Sequence, residues 1–282
     1  MKKIFLISLI LLSSNMSQAQ DFLRLTYLYS HKMEAEGRFR NYEMQVDYDG
    51  RTSYFYNELS YRKDSLNVIA FDKNGDIADQ DAYAKSTRLP ATTNESSIID
   101  FADGTFTQRY DEVAIFNGTM PIVLPQWKVN DEEESELSGY KCKTADGDFL
   151  GRHWTIYFTE EIPISAGPWL LWGAPGLIIS ATDSENLIKF RLTGVSKVNE
   201  SRLDKSRACW NIRESRTIAK VYTLKMKDME RMHTRYRRDV EYFNTIHGCV
   251  GGYDVDRNGT RTEMPKVLPY IPLIADDFWA DR

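Results

Sequence analysis

From Phe22 onward, apolar and polar positions alternate with the two-residue period of a half-buried strand. Leu23, Leu25, Tyr27 and Tyr29 are separated by Arg24, Thr26 and Leu28, and Tyr42, Met44, Val46 and Tyr48 share a second face. Asp49-Gly50 is a hairpin turn and residues 52–56 resume an aromatic strand, which predicts a three-stranded antiparallel meander. Residues 58–66 are polar and ambiguous, with a short helix as one reading, and 72–90 form a polar excursion with a turn at Asn74-Gly75. Residues 97–101 and 105–116, joined at Asp103-Gly104, predict another hairpin. The acidic run 131–136 predicts a solvated loop, and 139–143 a short strand ending in a turn at Asp146-Gly147. Trp154, Ile156 and Phe158 then alternate with His153, Thr155 and Tyr157, and residues 177–195 form a last hairpin around 183–186.

The pattern changes late in the chain. Met229, Met232, Tyr236, Val240, Phe243 and His247 recur at intervals of three and four, which predicts one long helix over residues 224–246 with Gly248 as its stop. The tail from Met264 carries Pro265, Pro269 and Pro272 among apolar residues, so it is expected to lie extended along the body. The fold class expected is mainly β, α+β at the margin. It would be a large curved antiparallel sheet or partial barrel, with the helix on or near its concave face.

The first residues alter the picture of where the chain works. Lys2 and Lys3, the apolar stretch 4–12 and Ser17-Gln18-Ala19 have the anatomy of a signal peptide over residues 1–19, leaving 20–282 as a single domain. No later run is apolar and long enough for a membrane helix, so no transmembrane segment is expected after cleavage. Loss of two lysines moves the net charge from −5 to −7, which argues against nucleic acid as a partner. Cys142, Cys209 and Cys249 have no zinc-ligand spacing. An exported chain with three cysteines is expected to form one disulfide.

Residues 173–178 read GAPGLI. Before them come Gly139-Tyr140-Lys141-Cys142, then Phe149-Leu150-Gly151-Arg152-His153-Trp154, Glu161-Ile162-Pro163-Ile164-Ser165 and Gly167-Pro168. In this order the segments resemble the GLPGLI family, exported proteins of Bacteroidetes. The resemblance is strong over 127–179, extends to Ser53-Tyr54-Phe55-Tyr56, and is faint after Val195. Ala174 stands where the family has leucine. The family has no assigned activity, so the resemblance implies a β-rich fold and a periplasmic or secreted location, and no catalytic residue. It includes Cys142 and not Cys209 or Cys249, which implies a Cys209–Cys249 bridge worth on the order of 4 kcal/mol.

Physically, Ala174-Pro175-Gly176-Leu177 suits a type II turn with Gly176 at positive φ, a rigid corner feeding a hairpin. The competing reading is a ligand pocket formed by Arg152, Trp154, Trp169, Trp172, Gly173, Pro175 and Gly176. Arg152, His153, Glu160 and Glu161 bracket one strand as an acid–base group, but adjacent strand residues face opposite ways. Arg152 is therefore expected to be a buried or half-buried partner for a carboxylate, Glu161 being the candidate. Asp254, Asp256 and Asn258 match the first half of a calcium loop, but Pro265 stands where the bidentate glutamate belongs. P-loop, GxSxG, HExxH and GxGxxG patterns are absent, and neither a cofactor nor a metal is expected. The expected function is that of a non-enzymatic envelope-associated protein, a ligand-binding or accessory module whose partner is a small molecule or an envelope protein. The alternative is a secreted hydrolase or metal-dependent enzyme.

Overall fold

A computed structural model describes residues 22–280 apart from 36, 91, 92, 94, 216–219, 250–252, 256–260, 264, 265 and 269. The expected signal peptide lies outside the described residues, as do Asp256 and Asn258 of the calcium-like loop. No helix among the described residues is long and apolar enough to cross a membrane, which leaves strand-built spans aside.

The predicted meander forms as β1 (Phe22–Lys32), β2 (Phe39–Tyr48) and β3 (Thr52–Tyr56). Helices α1 (Glu58–Ala70) and α2 (Gln80–Thr87) make the excursion, and β4 (Glu95–Asp100), β5 (Thr105–Asp111) and β6 (Ala114–Pro121) extend the meander. A second meander follows in β7 (Lys128–Leu137), β8 (Tyr140–Phe149), β9 (Arg152–Thr159), β10 (Leu177–Asp183) and β11 (Ile188–Val198). Then come α3 (Leu203–Ser215), β12 (Lys220–Lys225), α4 (Met226–Arg238) and α5 (Val240–His247). Pairing of β1 with β11 joins the meanders into one 12-stranded sheet, order β12-β6-β5-β4-β3-β2-β1-β11-β10-β9-β8-β7. The sheet is antiparallel except where β12 runs parallel to β6, and its two edges are not paired to each other.

Its curvature is measurable. Eight strand spacings separate β5 from β8, about 38 Å in a flat sheet. Yet the rings of Phe106 on β5 and Phe149 on β8 have centroids 6.2 Å apart, and Trp169 donates to Gln108 of β5 at 2.8 Å. The sheet therefore bends over its inner face, with register shifts at Thr26/Tyr27, Ile178/Ser180 and Asn130/Glu134 helping the strands to turn. Tyr27, Tyr29, Phe55, Phe106, Trp154, Phe158 and Phe190 fill that face, and the segment between β9 and β10 plugs it with Trp169, Leu170 and Leu171.

Four expectations are corrected here. The acidic run is not a loop: it lies in β7, an outermost strand of the sheet. Asp146-Gly147 lies inside β8, and the chain turns at Leu150-Gly151, whose φ values are 51° and 79°. The single late helix is two. Asp239 (φ −152°, ψ 86°) breaks it and caps α5 through its carboxylate, accepting from the Tyr242 amide at 2.9 Å. The tail enters that break: Val240 donates to the Lys266 carbonyl (3.0 Å) and Leu268 to the Arg237 carbonyl (2.7 Å). The fourth correction is that no S–S bond joins Cys209 to Cys249; Cys142, left outside the expected bridge, is a buried thiol in the core.

Candidate functional site

The structure disperses most of the residues singled out from the sequence. Trp154 and Trp169 are 0% exposed, deep in the core. Trp172 is half-buried, edge-on to Phe101, and donates to the Val123 carbonyl at 3.3 Å. Gly173 and Pro175 are exposed. Positive φ falls on Trp169 (55°) and Gly173 (83°), not on Gly176, so the predicted type II turn does not form. Gly176 is required for a different reason: a Cβ there would stand 2.0 Å from the Thr159 carbonyl oxygen. The motif is a tight backbone crossing over the end of β9, held by Leu177 donating to the Ile162 carbonyl (3.1 Å) and Ile178 to that of Ala166 (3.0 Å).

The acid–base group of β9 does not assemble. Arg152 points inward and His153 outward, as alternation requires. His153 pairs with Asp148 at 2.7 Å, Glu160 with Lys143 at 3.3 Å, and Glu161 accepts from the Lys141 amide at 2.8 Å. Arg152 is buried, but its partner is Asp183 (2.9 Å), with Glu185 at 3.4 Å, and not Glu161. Its remaining donors reach the carbonyls of Leu273 (3.1 Å) and Pro272 (2.6 Å). Asp183 in turn accepts from the Leu187 and Ile188 amides, each at 2.8 Å. Arg152 is thus a clamp that ties the C-terminal tail to the β10–β11 turn, beside a recess of about 320 Å³.

A richer set of groups, unmarked by any motif, begins beside this clamp, where the tail carbonyl of Ile271 meets His31, and runs along the inner face toward β5 and α4. Tyr29 and His31 project from β1 two residues apart, and Glu95 faces Tyr110 across the β4–β5 pair. Glu230 and His233 come from one face of α4, and Tyr270 from the tail. The Tyr29 hydroxyl contacts His31 Nδ1 at 2.7 Å and Glu95 Oε2 at 2.9 Å, and His31 Nε2 meets the Ile271 carbonyl at 2.9 Å. Tyr110 donates to Glu230 Oε1 at 2.9 Å, and Tyr270 donates to the Tyr110 oxygen, also at 2.9 Å. His233 stacks on Tyr110 with centroids 3.9 Å apart, and its Nε2 meets Glu112 Oε1 at 3.3 Å, where Arg237 also pairs. Burial pushes the Glu95 carboxyl up to about 7 and that of Glu230 up to about 8, against the pull of their hydrogen bonds with Tyr29 and Tyr110. Burial likewise depresses His31 to about 4 and lowers His233.

Beside this network opens a recess of about 400 Å³ between the outer face of β3–β5 and helices α1 and α3. Its origin is visible in α1. That helix has one buried residue, Ala70, and no apolar stripe to press onto the sheet. Polar ties hold it instead: Asn57 caps its first turn, Ser60 donates to the Thr93 carbonyl at 2.7 Å, and Arg202 lies over Tyr61. The gap left is walled by Tyr54, Tyr56, Tyr61 and Trp210, with Arg109 stacked 4.3 Å from the Trp210 ring. Glu95 and Glu112 reach it from the buried network. Among the described residues no cluster of three His, Cys, Asp or Glu side chains has metal-binding geometry.

No family model and no curated protein matches the chain. Solved structures of PNGF-II in two crystal forms are similar at 14% identity, with TM-scores of 0.48 and 0.49. They cover 77% of this chain, which spans only about a third (33% and 34%) of PNGF-II. The MucA/MucB complex of Pseudomonas aeruginosa matches over 66% of this chain and 55% of its own, at 8% identity and a TM-score of 0.25.

Proposed function

We propose that this chain is an exported, non-catalytic binding module of the GLPGLI type, taking a small polar ligand in the recess between β3–β5 and helices α1 and α3. The observation that carries the reading is the contrast between the motif and the recess. At the motif, the tryptophans are core and Arg152 is occupied by the tail and Asp183. At the recess, a helix without an apolar face leaves rings, amides and charges around open space. Aromatic faces beside hydroxyl and amide groups suit a ligand rich in hydroxyls or amides, such as a sugar or a short peptide.

Trp210 supplies the reporter. Titrating the protein with a panel of mono- and disaccharides and a panel of dipeptides, at least one member is expected to change tryptophan emission saturably, and the change is expected to vanish in W210F. No saturable change with either panel, or one that persists in W210F, would overturn the reading. The second reading, an acid–base hydrolase, is favoured by Glu95 alone, a carboxyl held near neutrality at the edge of the recess. Product release from a panel member that binds would select it.

A further inference from the structure

The hydrogen-bond inventory around Tyr29 fixes a proton. The Ile271 carbonyl can only accept, so the 2.9 Å contact places a hydrogen on His31 Nε2. A neutral imidazole carries one hydrogen, and His31 Nδ1 is then an acceptor that receives the Tyr29 hydroxyl hydrogen. Tyr29 has no second hydrogen for Glu95, yet Glu95 Oε2 lies 2.9 Å from its oxygen. With His31 neutral, as its burial favours, that contact is a hydrogen bond only if the carboxyl is the donor; Tyr29 donating to a Glu95 carboxylate would require an imidazolium at His31.

We propose that Glu95, Tyr29 and His31 form a buried proton-binding site that holds one proton on Glu95 and passes it inward through Tyr29. Transfer is balanced: the Glu95 hydrogen moves to the Tyr29 oxygen as the Tyr29 hydrogen moves to His31 Nδ1. The result is a carboxylate and an imidazolium with Tyr29 unchanged. The His31 end is closed by the tail carbonyl, and Glu95 is the member of the three that borders the recess, so exchange with solvent is expected on the Glu95 side. When the proton leaves, Tyr29 has two acceptors and one hydrogen. The carboxylate is the stronger acceptor, His31 loses its donor, and the junction between β1 and the tail is strained. The charged and titratable groups around Glu95 and Tyr29 are Glu112, Glu230, Arg237, Tyr42, Tyr110 and Tyr270, and Arg40 and Arg152 act on His31. Arg237 favours the carboxylate while Glu112 opposes it, and burial decides for the neutral acid. The inference is independent of what the recess binds.

Two measurements on the ligand-free protein test it. In the wild type, imidazole nitrogen NMR at pH 6 is expected to show His31 neutral with its hydrogen on Nε2. An Nδ1–H tautomer or an imidazolium at that pH would overturn the proposal, and no variant is needed. In infrared spectra at pH 5.5, wild type minus E95Q is expected to show a protonated-carboxyl stretch that disappears with a midpoint near 7. Absence of that band would overturn it equally, and E230Q separates the second buried acid, with a midpoint near 8. The sign of the stability effect follows. The folded state keeps a proton that the unfolded state loses from about 4.5 upward, so wild-type stability falls relative to E95Q between 4.5 and about 7, then levels.

Discussion

Arg152→Met is expected to lower the unfolding free energy by roughly 3–5 kcal/mol, the cost of leaving a buried partner charge uncompensated. Asp183 is 2% exposed and would keep only its two backbone donors. The Pro272 and Leu273 carbonyls would lose the guanidinium at the same time, and the next apolar residues, Leu273 and Ile274, are both 0% exposed. Denaturant unfolding reads the loss, and hydrogen exchange should show it first in the tail segment 271–275. Removing the partner charge as well, in Arg152→Met with Asp183→Asn, should recover part of the stability. His153→Ala, one residue along but facing outward, should change stability by no more than about 0.5 kcal/mol. A midpoint in Arg152→Met equal to that of the wild type would remove the clamp from the account.

Gly176→Ala is expected to be comparably severe, on the order of 3–5 kcal/mol or failure to fold, because the new methyl meets backbone rather than a yielding side chain. The Thr159 carbonyl at 2.0 Å and the Glu160 Cα at 3.1 Å belong to the end of β9, which cannot retreat without breaking its pairing with β10. Pro175→Ala is the control. Pro175 is exposed, and its substitution should cost about 1 kcal/mol or less, chiefly through a freer unfolded chain. Equal effects at the two positions would favour the dihedral explanation of the motif over the steric one.

These two residues also mark the limit of what the chain alone discloses. The meander of β1 to β3 and the alternation of β9 were legible because one face of each strand is core, so apolar spacing records the pleat. Arg152 could be read as buried from its place opposite His153, but its partner could not. Asp183 reaches it through tertiary folding across 31 residues, whereas Glu161 was merely near in sequence. The glycine of the motif was recognised but misassigned, since sequence shows a permissive residue without showing whether dihedral or distance demands it. The Asp239 break was hidden because the apolar stripe continues through it, and only the returning tail supplies the bonds that hold it open.

The recess and its buried acids were almost wholly illegible. Glu95, Tyr110, Glu230 and Tyr270 come from four separate segments, and none belongs to a motif. Two weak signals existed. His31 continues the inward series Leu25, Tyr27, Tyr29, and a polar ring in that series asks for a buried partner. Residues 58–70 form a helix with no apolar stripe, which is the pattern of an element that does not pack flush against its neighbour. Together they point away from the aromatic motif, toward the buried acids and the face of β3–β5 beneath α1.

Hydrogen exchange with and without the saccharide or dipeptide that saturates the Trp210 signal locates the site most directly. Protection is expected in β3 to β5, α1 and α3, with residues 167–176 and the Arg152 recess unchanged. Protection confined to 167–176 and the β9–tail junction would contradict the account, and would return the binding site to the motif.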